Sequence, residues 1–215
     1  MKLKKLLTLF VIVFSTLCHA QIPDKQYLSK VLDSIYEEDQ KYRKQIRPII
    51  EEHGQKSQEF QELAMTMVKT DASNLLVVKD ILNQYGWLGP DVVGKKGSQT
   101  LFLVIQHSDL ETQQKYLPMM KKAVKDGDAK SQNFALLKDR VLLGMGEKQL
   151  YGSQIAKNKE TGEYYVQPLK DPENVNKRRQ EMGLGSIEDY VSRWGIDWDA
   201  KKYIENAEQR NGNQN

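Results

Sequence analysis

Between residues 24 and 53 apolar side chains recur at alternating spacings of four and three: Leu28, Leu32, Ile35, Tyr42, Ile46 and Ile49, with Asp39 filling one place in the series. That period puts them on one stripe of an α-helix, whereas a strand alternates its faces every two residues. A helix this long holds its shape mainly by burying its stripe against a neighbour. The following segment supplies one, with Phe60, Ala64, Met67, Asp71, Asn74, Val78, Ile81 and Tyr85 repeating the pattern over 57–85. Gly54 and Gly86 stand where the two helices would end. The expected outcome is an antiparallel helix hairpin turning near residue 55. Pro48 lacks a backbone donor, which predicts a kink or an early stop in the first helix.

Downstream, Gly86-Trp87-Leu88-Gly89-Pro90 reads as a turn-forming segment that closes the hairpin. The run Leu101-Phe102-Leu103-Val104-Ile105 within 97–107 fits a third helix or a buried strand; periodicity does not separate them, and the flanking helices favour helix. A fourth helix is expected over 110–124, with Leu110, Gln113, Leu117, Met120 and Val124 on one face and a kink at Pro118. Asp126-Gly127-Asp128 forms a turn before a fifth helix over 129–145. Two β-compatible runs, 151–156 and 164–169, flank a Gly-containing loop and read as a hairpin. Asp171 as cap and Pro172 in the first turn open another helix that ends near Gly183, and a short one covers 186–194. The fold class is therefore mainly α: a single helical domain over residues 21–205 that opens with a long antiparallel helix hairpin, plus a small β-hairpin near residues 151–169. The stretch 206–215 is polar and expected to fray.

Residues 1–20 have the three-part layout of a secretory signal peptide: Lys2, Lys4 and Lys5, a mostly apolar run over 6–17, and Cys18-His19-Ala20 ahead of a cut before Gln21. The apolar run is too short to span a bilayer, which needs ~20 residues. A lipid anchor on Cys18 is disfavoured by Leu17, since a small residue is usual there. The expectation is an exported protein, periplasmic or secreted, with no membrane span in its mature chain. Loss of the three leader lysines leaves as many bases as acids. A neutral chain offers no electrostatic footprint for nucleic acid or anionic membrane. The single cysteine also departs with the leader, so disulfides and thiolate zinc sites are excluded and the apolar core must suffice.

Function is sought where polar residues occupy apolar places. In an antiparallel hairpin Asp39 and Asp71 lie at the same distance from the turn, and so at about the same height. Two facing carboxylates in a dry interface need a base, a metal, a shared proton or water between them. Arg43, one turn beyond Asp39, is the nearest base. The alternative is a stripe that drifts, leaving one or both acids in water. His107 emerges from the apolar third helix, and Asp109 either completes a His-x-Asp unit or simply caps the fourth helix. A metal site is disfavoured because the mature chain has too few histidines and no cysteine; no cofactor is expected. Gln113 lies among leucines. One of Asp139 and Arg140 must face inward, as half of a buried Arg–carboxylate pair that is either a strut or a substrate clamp. No phosphate loop, nucleophile elbow or His-Glu-x-x-His motif occurs.

These residues carry a resemblance. Glu38-Asp39-Gln40-x-x-Arg43, Asp71-x-x-Asn74, Gly86-Trp87, Gln106-His107-Ser108-Asp109, Gln113, Asp139-Arg140-Val141 and Tyr151-Gly152-Ser153-Gln154 together resemble the bacterial family known as domain of unknown function 6624. The resemblance covers about residues 30 to 185, with Leu88 where the family often has Pro and Ser153 for its usual Thr. It implies no activity. It does mark Asp39, Arg43, Asp71, His107, Asp109, Gln113, Asp139, Arg140, Tyr151 and Gln154 as family-type positions.

Three readings follow. In the first, the polar cluster binds a small polar or anionic ligand or a peptide: Asn74, Gln113 and Gln154 supply amides, Arg43 or Arg140 holds an anion, Asp39 and Asp109 line the pocket, and the Tyr151–Gln154 hairpin closes it. In the second, the chain is a hydrolase or lyase with His107 as general acid or base, oriented by Asp71 or Asp139. In the third, the cluster is a structural network in a partner-binding envelope protein.

Overall fold

The structure, a computed structural model, describes residues 24–159 and 161–212. Residues 1–20, where the sequence leads one to expect a signal peptide, and residues 213–215 lie outside the described residues. Helix α1 spans Lys25–His53, with the Asp24 carboxylate accepting from the Gln26 N–H at its start and Gly54, at φ 88°, ending it. Helix α2 spans Gln58–Tyr85, with the Ser57 hydroxyl accepting from the Phe60 N–H. The two form the expected hairpin. Pro48 does not stop α1, which runs on to His53. It lies on an exposed face, where water meets the carbonyl that loses its donor.

Helix α3 spans Pro90–Gln106 and packs across both arms of the hairpin, chiefly on α1. The apolar run at 101–105 is thus helical. The helix begins earlier than the sequence indicates, because Pro90 occupies its first turn, where a missing N–H costs nothing. Gly94 then breaks the helical geometry at φ 74°, ψ 167°, a region open essentially to glycine alone. Gly94→Ala is expected to destabilise the protein by about 1–3 kcal/mol in urea denaturation, although only the Ser29 hydroxyl approaches that site.

Helix α4 spans Leu110–Asp126 and α5 Ser131–Gly144; they pack on each other. Pro118 is carried inside α4 without ending it. The inward face of α4 keeps Gln113 and Met120 of the expected face and adds Thr112, Tyr116 and Ala123, while Leu110 and Leu117 pack on the core only partly buried. Tyr116 can enter the core because its hydroxyl donates to Asn83 Oδ1 at 2.9 Å. The main core joins Leu32, Val78, Leu82, Leu101, Ile105, Met120 and Leu137 from all five helices.

The remainder forms a smaller unit with its own apolar cluster of Val166, Leu169, Val175, Ile187 and Val191. Strands β1 (Ile155–Lys157) and β2 (Tyr164–Val166) make the antiparallel hairpin, with Ile155 opposite Val166. A 3₁₀ turn at Pro172–Asn174 leads into α6 (Val175–Glu181), and α7 spans Ile187–Val191. Asp171 does not cap this helix through its side chain. It adopts φ 44°, and its carboxylate accepts from Asn174 and Arg178 instead. An eighth helix, α8 (Ala200–Gly212), has no counterpart in the sequence reading. Among the described residues no helix is long and apolar enough to cross a membrane.

Candidate functional site

Asp39 is 1 % exposed in the middle of α1, at the level of Asp71 on α2, and Arg43 ties the two together. The guanidinium donates from one nitrogen to the Asp39 carbonyl (2.8 Å) and from another to Asp71 Oδ2 (2.8 Å), and it pairs ionically with Asp39 Oδ1 at 3.1 Å. The Gln40 amide donates to Asp39 Oδ2 at 2.7 Å. From the end of α3, His107 Nδ1 meets Asp39 Oδ1 at 2.9 Å. Burial alone would push the Asp39 carboxyl up. The hydrogen bond and charge of His107, the Arg43 charge and the Gln40 amide outweigh it, so the carboxyl lies below its ordinary value. Asp39 is therefore a carboxylate, Nδ1 carries the hydrogen between them, and Nε2 has no partner among the described residues.

Beside this cluster lies a cavity of about 260 Å³. Asp39, Asp71, Asn74, His107, Ser108 and Asp109 form its polar lining, and Val68, Leu75 and Val104 its apolar side. Two polar atoms of this lining are buried without a partner: Asp71 Oδ1, an acceptor, and Asn74 Nδ2, a donor on a side chain only 3 % exposed. Native interiors rarely tolerate such atoms, each of which costs ~1–3 kcal/mol. Ser108 is not among them, since its hydroxyl donates to the Ile105 carbonyl at 2.7 Å.

Asp109 caps α4, accepting from the Thr112 N–H at 2.8 Å, and that N–H lowers the carboxyl below its ordinary value. The Gln113 amide donates to the carbonyls of Gln106 (3.1 Å) and Ser108 (2.8 Å), which fixes the turn carrying His107. Among the described residues, no group of three or more His, Cys, Asp or Glu side chains is placed to hold a metal ion.

Asp139, Arg140, Tyr151 and Gln154 do not line this cavity. Of the pair on α5, Asp139 faces inward and Arg140 is exposed, so the expected Arg–carboxylate pair does not form. Asp139 instead accepts from the backbone N–H groups of Leu150 (2.7 Å), Tyr151 (3.1 Å) and Ser153 (3.0 Å). The Tyr151–Gln154 segment is thereby tied to α5. The Gln154 amide is spent on the Ser153 hydroxyl. His107 is oriented by Asp39, not by Asp71 or Asp139.

Three buried polar residues here are not among the candidate site residues that the sequence offers. Gln149 bonds to the Gln154 and Gln167 carbonyls, and Ser153 is bound to Asp139 through its backbone. Arg179, 2 % exposed, donates to the carbonyls of Tyr151 (2.6 Å) and Gly185 (2.7 Å) and lies over the Tyr190 ring. The signal for Arg179 was its position one turn after Val175, on the inward face of α6.

No curated protein and no solved structure matches the chain. The model for the family described as "Family of unknown function (DUF6624)" matches residues 24–200, and the Asp39–Arg43–Asp71–His107 cluster and the Asp139 clamp both fall inside that span. The chain belongs to this family.

Proposed function

We propose that this is an exported domain whose cavity between α1, α2 and the end of α3 binds a small polar molecule. The observation that carries the reading is the pair of unpartnered atoms on the cavity wall, Asp71 Oδ1 and Asn74 Nδ2. A purely structural network would leave each polar atom paired in a packed interior. Here Asp39 and Arg43 are fully paired, while Asp71 Oδ1 and Asn74 Nδ2, on the same cavity lining, are not. Export rests on the leader-like first twenty residues.

The 2.9 Å contact of His107 with a carboxylate favours a second reading, proton transfer by a hydrolase or lyase. In it, Asp39 fixes the imidazole so that Nε2 serves as general acid or base towards a bound molecule.

The test is a thermal-shift screen of the purified protein against amino acids, sugars, nucleotides and metals, repeated on Asn74→Leu. The variant removes an unpaired buried amide, so it is expected to be about 1 kcal/mol more stable without ligand and to lose every ligand-induced shift. His107→Ala separates the two readings: binding survives in both, but turnover of the bound compound is lost only if the imidazole moves protons. If no compound shifts the melting temperature and Asn74→Leu lowers it, the cavity is not a binding site.

A further inference from the structure

We infer that the cavity takes a primary ammonium group set next to a carbonyl on an apolar skeleton, the chemistry of a peptide amino terminus or an amino-acid amide. The inference rests on the binding reading above and names its ligand class. Asp71 Oδ1 needs a donor and Asn74 Nδ2 needs an acceptor. The two residues stand three apart on α2, so they are neighbours on one helix face, with Cβ atoms about 5–6 Å apart. An ammonium nitrogen and the oxygen of the adjacent carbonyl can meet both at once. Asp71 is also held for this role, because Arg43 engages Oδ2 and leaves Oδ1 to the cavity.

Charge selects the cation. Arg43, the group the sequence offers for holding an anion, already donates to Asp39 and Asp71, and Arg140 is exposed and outside the cavity. Three carboxylates, those of Asp39, Asp71 and Asp109, line the space; the Arg43 guanidinium is spent on the first two, and Lys79 acts on Asp109 from outside the lining, so no cation on the wall is left to receive an anion. A carboxylate or phosphate entering here would be repelled.

The skeleton is selected by the walls. Val68, Leu75 and Val104 line the cavity. Val68 is 70 % exposed, and Met65 and Leu76 on the adjoining surface of α2 are 65 % and 66 % exposed. Residues 65, 68, 72 and 76 share one side of the helix, so an apolar stripe runs out from the cavity mouth. A branched aliphatic side chain next to the ammonium would cover it.

The experiment is isothermal titration of the purified protein at pH 7 with three probes: leucinamide, N-acetyl-leucinamide and 4-methylpentanoate. Leucinamide is expected to bind, the acetylated amide about tenfold or more weakly, and the carboxylate not at all. Asp71→Asn, checked for folding by circular dichroism, should weaken leucinamide by about tenfold or more. Asn74→Leu, which does not disturb the Arg43 bridge, serves as the second variant and should also abolish binding. Equal binding of the acetylated amide, or binding of the carboxylate, overturns the ammonium assignment. If that binding is lost in Asn74→Leu, the cavity remains a ligand site of another class. Failure of leucinamide also overturns the assignment, and failure of the wider screen as well removes the binding reading itself.

Discussion

Asp139→Ala is expected to cost about 3–5 kcal/mol of folding stability. The carboxylate is 0 % exposed and accepts the N–H groups of Leu150, Tyr151 and Ser153. Removing it strands backbone donors that no other group can reach, each at ~1–3 kcal/mol, with relaxation of the loop returning part of the loss. Its neighbour Arg140 is exposed, so Arg140→Ala should stay within about 0.5 kcal/mol. Urea denaturation of both variants measures the contrast. A loss below about 1 kcal/mol for Asp139→Ala would mean that the clamp does not hold the 150–153 segment to α5.

Asp39→Ala is expected to cost about 3 kcal/mol, because it leaves Arg43 and His107 without their shared carboxylate partner. The two aspartates should respond to pH with opposite sign. The folded Asp39 carboxyl lies below its unfolded value of about 3.9. Its contribution is therefore complete above about pH 4 and is lost as pH falls through the folded value. For Asp139, burial pushes the carboxyl up against the pull of the Ser153, Leu150 and Tyr151 N–H groups, and the net shift is upward. Its titration contribution is complete below the unfolded value and is lost as pH rises through the folded one. The cost of Asp39→Ala should thus shrink on acidification below about pH 4, while that of Asp139→Ala should shrink as pH rises above it. Denaturation midpoints at several pH values between about 2.5 and 7 decide both. Parallel behaviour of the two variants would contradict the assigned environments.

Much of the candidate site was legible because α1 and α2 are long and regular. Asp39, Asp71 and Asn74 interrupt apolar stripes, and antiparallel pairing about a turn near residue 55 sets the two acids level with each other. Arg43 follows from helical spacing alone. The apolar run at 101–105 was ambiguous in the same terms, since a short buried segment looks alike as helix or strand; contact with α1 decides it. The early start of α3 was hidden because Pro90 ends one pattern and begins another with the same residue type. Asp139 was correctly seen as a polar residue among apolar ones. Its partners are backbone N–H groups eleven to fourteen residues onward, and a backbone donor leaves no mark in a side-chain pattern.

The order of side chains alone determined the long helices and the inward turn of Asp39, Asn74 and Gln113, because helical period and hydrophobic burial act over a few residues at a time. Tertiary structure decided which groups meet. Asp39 finds His107 68 positions away, and Asp71 finds Arg43 28 positions away. Only the way α3 crosses the hairpin leaves Asp71 Oδ1 and Asn74 Nδ2 unpaired beside an open space. A cavity is what packing fails to fill, so it depends on the relative placement of whole helices, which no local spacing specifies.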